Sequence, residues 1–383
     1  MEKANEQLLA PGDASLKSVT PPIFKNGRYE NPASWESWKG LPGAGRFLRW
    51  NWQRWRGTAE GGGSRVPWHK PHEIEEELPM EKPQFSHPPG PDQLSITWIG
   101  HATVLTQIDG LSVICDPIWS QRCSPVSCLG PKRYRQPPVE IENLPKLDVG
   151  VISHNHYDHL DLPTVQDLEK RFGGEDGMEW FVPKGLGDFM RNKAGCHKVT
   201  ELSWGEEKKV SVRGSERTVR IVCLPAQHWS TRLGFIDRNK SLWSGWGVLG
   251  DKHRFFFAGD TGYTPEFANI GRLYGPFDLA AIPIGCYCPR QRDSLRHSEA
   301  AKTYIISRLQ HNSPEEEPSP TTSKAASKTS HDESVMGELL AELETCSSHG
   351  SSSSSSSQQL SQPRIDVNTQ LHNFLESTIA CEG

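Results

Sequence analysis

The chain has 383 residues, 35% of them hydrophobic, and a formal net charge of −5. That length allows one large domain with extensions. It has no apolar run of the ~18 residues a membrane-spanning helix needs, and no basic block with a nucleic-acid-binding motif, so nucleic acid is not an expected partner.

Nine cysteines are scattered without CxxC pairs. The odd number and the lack of a disulfide framework predict reduced thiols and an intracellular setting. The N-terminus has no apolar signal core, and Glu2, Glu6, Asp13 and Glu30 argue against a transit peptide. The expected location is cytoplasmic or peripheral to a membrane, with a mitochondrial location left open.

Residues 1–92 read as a Pro/Gly/Trp-rich extension carrying the flexible link Gly61-Gly62-Gly63-Ser64. Six of the 13 tryptophans lie between Trp35 and Trp68. Within Arg46–Arg56, a helical wheel puts Leu48, Trp52 and Trp55 on one face and Arg46, Arg49 and Arg56 largely opposite. Arg with Trp is an interfacial composition, which suits docking on a membrane surface; the competing expectation is that these aromatics pack against the catalytic domain as an ordinary cap.

Residues 93–311 carry the strand-like runs: Ser95–Ile99, Val113–Cys115, Val149–Ile152, Val219–Leu224, Phe255–Ala258 and Leu279–Ile284. Gly, Pro and Asp follow most of them, as where strands end in functional loops. The pattern predicts an α/β domain. Residues 312–383 differ. They hold 11 acidic and 3 basic side chains and the Ser351–Ser357 tract. Such a composition buries too little apolar surface to offset ordering entropy, so a disordered acidic Ser-rich tail is expected. Within it, Val335–Leu343 has the spacing of a short helix, too isolated to persist.

The run Ser153-His154-Asn155-His156-Tyr157-Asp158-His159-Leu160-Asp161 carries the chemistry. It comes directly after the buried-strand pattern Val149–Ile152. In an extended loop, residues two apart face one side, so His154 and His156 can converge on one ion. Asp158 and His159 can reach a second. Imidazole and carboxylate suit zinc.

This His-x-His-x-Asp-His spacing is the signature of the metallo-β-lactamase superfamily. Further segments narrow the resemblance: Ile96–Thr103, Asp116-Pro117-Ile118, Gly130–Arg135, Gln227-His228-Trp229, Phe255–Tyr263 and Gly275–Gly285. In this order they resemble the N-acylphosphatidylethanolamine-hydrolysing phospholipase D family, densely from about residue 93 to 290. The resemblance implies an αβ/βα sandwich with two zinc ions at its loop edge. His154, His156 and His228 would hold one. Asp158 and His159 would hold the other, and Asp260 would bridge them; Asp158 and Asp260 are thus also the carboxylates of the catalytic centre. His101, Asp116 and Lys132 are read as supporting or structural groups, and His297 as a residue on the substrate side. The implied reaction is hydrolysis of N-acylphosphatidylethanolamine to N-acylethanolamine and phosphatidic acid by a metal-bridging hydroxide, with a phospholipid membrane surface as partner.

The chain departs from the family at its C-terminal end. The family pattern continues to another strand that ends in a metal-binding His, in a His-Trp-Gly context. No His-Trp-Gly occurs after Arg290, although Arg296–Ala301 resembles the next helix. The sandwich is therefore expected to lack its C-terminal strand or strands, and the second zinc site to be weakened. Two alternatives stay open: another hydrolase of the same fold, and an inactive metal-binding form.

Overall fold

The computed structural model describes residues 18–35, 38, 80–125, 132–133, 135–283 and the backbone of 303–307. A two-stranded hairpin, β1 (Ile23–Lys25) and β2 (Arg28–Glu30), precedes two six-stranded sheets. The first sheet holds β3 (Leu94–Gly100), β4 (Thr103–Ile108), β5 (Leu111–Cys115), β6 (Val149–Val151), β7 (Glu179–Pro183) and β8 (Val199–Leu202), in that spatial order. The second holds β9 (Glu207–Ser211), β10 (Thr218–Leu224), β11 (Gly245–Leu249), β12 (Arg254–Phe257), β13 (Leu279–Pro283) and β14 (Thr303–Ser307).

Alternation along single strands builds the layers. In β5, Val113 and Cys115 join a core shared with the second sheet, while Ile114 joins a core shared with the first helix. In β7, Phe181 points to the first core, and Trp180 and Val182 to the other. Successive side chains of a strand face opposite sides, so both strands are covered on two faces. Parallel neighbours need crossovers. Helix α1 (Leu162–Phe172) links β6 to β7, and α2 (Gly187–Asn192) links β7 to β8. Helix α3 (Glu266–Tyr274) makes the crossover of the second sheet, between the parallel strands β12 and β13. In α1, Asp161 occupies the N-cap, a proline lies at the start, and Lys170 and Arg171 sit in the last turn. Its buried Thr164, Val165, Leu168 and Glu169 repeat at helical spacing.

Strand direction places the site. β3 and β5 both run antiparallel to β4, and β6 runs parallel to β5. The carboxyl ends of β3, β5 and β6 therefore share one edge. They lead into His101, Asp116 and the loop 153–161. In the second sheet β10 and β12 both run antiparallel to β11. Their carboxyl ends lead to His228 and Asp260. The sheets are tied beneath this edge, where Ser244 N donates to Ser153 O at 2.9 Å and Trp246 Nε1 donates to Ile152 O at 3.0 Å.

Each of the six strand-like runs of the sequence contains a strand. Beyond Leu279–Pro283 the sheet has one more strand, β14, which pairs antiparallel along β13 and does not end in His-Trp-Gly. The run Thr303–Ser307 is a short apolar stretch in polar surroundings, and such a stretch has no periodicity that separates strand from helix. Part of the N-terminal stretch also packs on the domain: Val19 and Trp35 are buried in the core between the sheets. Arg46–Arg56, Arg296–Ala301, His297, Val335–Leu343 and the whole of 312–383 lie outside the described residues. Among the described residues no helix is long and apolar enough to cross a membrane.

Candidate metal centre

His154, His156, Asp158, His159, His228 and Asp260 come together at this edge, each nine-tenths or more buried. They form two groups of donors. In the first, His154 Nε2 lies 2.8 Å from His156 Nδ1, and His228 Nε2 lies 3.3 Å from the same atom. In the second, Asp158 Oδ2 and His159 Nε2 are 3.9 Å apart. Asp260 Oδ2 stands between the groups, 3.2 Å from His159 Nε2, 3.8 Å from His228 Nε2 and 4.0 Å from His154 Nε2.

These spacings fit metal ligation. Donors about 2.0–2.1 Å from a tetrahedral zinc are separated by about 3.3–3.4 Å. Imidazole nitrogens turned on one another in a buried site have few other uses. The first three rings form one set of potential metal donors, and His101, Asp158 and His159 form another.

Asp116 orients the rings. It comes just after β5 in left-handed backbone at φ 41° and is fully buried. Its carboxylate accepts from Ser153 N at 2.6 Å, from Ser153 Oγ at 2.5 Å and from His159 Nδ1 at 2.7 Å. Ser153 Oγ lies 2.9 Å from His154 Nδ1 and, with its own hydrogen given to Asp116, is left to accept a hydrogen bond from that N–H. Both Nδ1 atoms are thereby donors, and both Nε2 atoms are turned to the centre. A carboxylate behind a histidine fixes the ring and its tautomer in this way. Trp229 packs edge-on to His156, with centroids 4.4 Å apart.

Without metal, the two groups differ in charge. Burial holds His154 well below the ordinary imidazole range, and the rings of His159, His228 and His156 push the same way. Burial also works against a charged His159. There the Asp260 and Asp158 carboxylates and the Asp116 hydrogen bond outweigh it, and the ring rises well above its usual range. For Asp158 burial acts upward, but His159 and His101 outweigh it and the carboxyl is lowered. Burial raises Asp116 despite His159 and Ser153. The first group is thus neutral imidazole, and the second is rich in carboxylate.

The sequence places His101 and Asp116 only as supporting groups. In the fold Asp116 is the hub behind two candidate ligands. His101 sits closer than expected, with Nε2 3.2 Å from Asp158 Oδ2. Lys132 is exposed, and its backbone bridges to Arg122. The signal for His101 is Gly100-His101 after a strand, but nothing local says which edge that turn reaches.

Comparison with known proteins fits this architecture. The family model described as Beta-lactamase superfamily domain matches residues 112–316. The N-acyl-phosphatidylethanolamine-hydrolyzing phospholipase D 1 of Caenorhabditis elegans is 42% identical over 272 residues, covering 70% of this chain and 73% of that protein. The mitochondrial N-acyl-phosphatidylethanolamine-hydrolyzing phospholipase D of Saccharomyces cerevisiae is 38% identical over 204 residues, 52% of this chain and 42% of that protein. A metal-dependent hydrolase of Hyperthermus butylicus is 28% identical over 194 residues, 50% of this chain and 71% of that protein. The chain belongs to the N-acylphosphatidylethanolamine-hydrolysing phospholipase D family of the beta-lactamase superfamily, and is a metal-dependent hydrolase.

Proposed function

We propose that this chain is a zinc-dependent phosphodiester hydrolase of phospholipase D type. Its substrate is N-acylphosphatidylethanolamine, and its products are N-acylethanolamine and phosphatidic acid. Water adds its oxygen to phosphorus, the bond from phosphorus to the ethanolamine oxygen breaks, and the proton ends on that leaving oxygen. The observation that carries the reading is Asp260, within 3.2–4.0 Å of His159, His154 and His228. One carboxylate between two donor groups suits a pair of ions. When bound, such ions lower the pKa of a coordinated water toward about 7 and offset charge on phosphoryl oxygens. His154, His156 and His228 hold the first ion, and Asp158 and His159 take part in holding the second. Asp116 and Ser153 keep the ring faces fixed, and the packed sheets exclude water from below.

A surface feature supports a lipid substrate and peripheral docking on a phospholipid surface. Leu233, Phe235 and Ile236 are 63%, 78% and 70% exposed. They project from a loop closed by Asp237, whose carboxylate accepts from Thr231 Oγ1, Arg232 N and Leu233 N. Arg232 Nη1 joins this loop to the metal loop, donating to Asn155 O at 3.1 Å and Leu160 O at 2.7 Å. Three large apolar side chains exposed on one loop suit an interaction surface.

The test is zinc content beside lipid hydrolysis on the full chain, with products identified by mass spectrometry. Bound zinc with equal yields of N-acylethanolamine and phosphatidic acid is the expected result. Bound zinc without these products sinks the lipid reading and leaves another metallo-hydrolase or a non-catalytic metal protein. Undiminished zinc in the His154→Ala, His156→Ala double variant removes the centre itself.

A further inference from the structure

We propose that His101 is a ligand of the second metal, completing a set with Asp158, His159 and Asp260. This inference rests on reading the cluster as a metal centre. Without His101 the second donor group has a single imidazole, that of His159, among the described residues. Among the described residues, the set of potential donors built on Asp158 and His159 is completed by His101.

Its Nε2 lies 3.2 Å from Asp158 Oδ2. A charge-assisted N–H···O bond is usually shorter, about 2.7–2.9 Å. The separation instead approaches the ~3.3–3.4 Å between two ligands on one tetrahedral zinc. The same 3.2 Å recurs between His159 Nε2 and Asp260 Oδ2. Two donor pairs thus lie near the spacing of ligands on one ion, while Asp158 Oδ2 and His159 Nε2 stand 3.9 Å apart.

The backbone is shaped to aim this ring. The pairing of β3 with β4 shifts register between Trp98 and Gly100, a bulge that re-aims the turn at His101. Gly100 has φ 129° and His101 has φ 52°. Left-handed backbone is uncommon for residues other than glycine, and its energetic cost persists only where the surroundings impose it. Here Trp98 Nε1 donates to His101 O at 2.8 Å and pins the turn. His101 is also the more open member of the set, 18% exposed at its side chain against 5% for Asp158 and none for His159. It closes the centre from the solvent side, where a substrate arrives.

A supporting role is the competing explanation: His101 could act only by holding Asp158. Two variants separate the two. His101→Asn tolerates the left-handed backbone and removes the imidazole. His101→Gln keeps an N–H donor that can reach Asp158. The full chain and each variant are stripped, reloaded with zinc and counted by elemental analysis, with affinities from chelator competition and folding checked by thermal unfolding of the metal-free proteins. Wild type is expected to hold two zinc ions. Both variants should hold one, with the second weakened more than 100-fold, beyond the 10–100-fold typical of residues behind a ligand. In cobalt-loaded protein, only the second equivalent should change its visible spectrum. Two tightly held ions in His101→Asn overturn the proposal, as does His101→Gln with wild-type affinity. Loss of the second ion in His297→Ala, with His101→Asn unaffected, assigns the ligand elsewhere and also overturns it. None of these outcomes touches the first ion, so the reading of the centre stands or falls separately, on His154 and His156.

Discussion

Asp116 Oδ2 accepts a hydrogen bond from His159 Nδ1 at 2.7 Å, and both side chains are completely buried. Through Ser153 the same carboxylate also governs the tautomer of His154. One residue outside the ligand set thus orients one ring of each donor group. In Asp116→Asn an amide N–H can oppose the protons of His159 and Ser153. We expect metal affinity to fall about 10–100-fold. Stability of the metal-free protein should fall by about 1–3 kcal/mol, the range for a buried polar group left unsatisfied. Chelator competition and denaturant unfolding measure the two effects, and unchanged affinity would contradict the assigned role.

Gly259 stands where the two sheets meet. It has φ 61°, and a Cβ there would lie 2.6 Å from Ser153 Cβ and 3.0 Å from Ser244 O. It also immediately precedes Asp260. Gly259→Ala combines left-handed strain with overpacking and should destabilise by about 1–3 kcal/mol. Asp260 should shift with it, so metal affinity should fall as well. A variant with wild-type unfolding midpoint and metal content would show that the approach is not tight.

Glu169 links α1 to β7 and to the turn before β8. Its carboxylate accepts from Trp180 Nε1 at 2.9 Å, His197 N at 3.0 Å and His197 Nδ1 at 2.7 Å. Burial acts to raise its pKa, but these hydrogen bonds outweigh it and lower the carboxyl below its ordinary value. A lowered carboxylate contributes stability above its unfolded pKa and loses it as pH falls through the folded one. Glu169→Gln should therefore cost about 1 kcal/mol near neutrality, discounted because His197 is exposed. The difference from wild type should shrink below about pH 4. Unfolding curves from pH 7 to pH 3 test this, and a pH-independent difference would count against it.

Phe235 and Ile236 are exposed apolar tips on the loop closed by Asp237. Replacing both by Ser removes apolar area while leaving the Asp237 bonds in place. Co-sedimentation with phospholipid vesicles should drop at least several-fold, while metal content and hydrolysis of a detergent-dispersed substrate stay close to wild type. Equal vesicle binding by both proteins would exclude this loop as the docking element.

The sequence by itself carried the chemistry of the centre. His154, His156, Asp158 and His159 lie within six positions, so local spacing alone makes them a donor set. Strands such as Phe255–Ala258 were legible because an apolar run ends in Gly-Asp. Others were not. The sequence Glu179–Pro183 ends in Pro yet is a buried strand held between β6 and β8, and Glu207–Ser211 is mostly charged and exposed because it lies at a sheet edge. In both cases long-range pairing overrides local composition. Strand direction and inter-sheet packing also decided what joins the motif. They bring Asp116 behind it, His228 and Asp260 across it and His101 over its open side. No periodicity encodes that convergence, because which strands lie side by side, and which way each runs, is settled by burying two faces of each sheet at once rather than by any residue's neighbours in the chain.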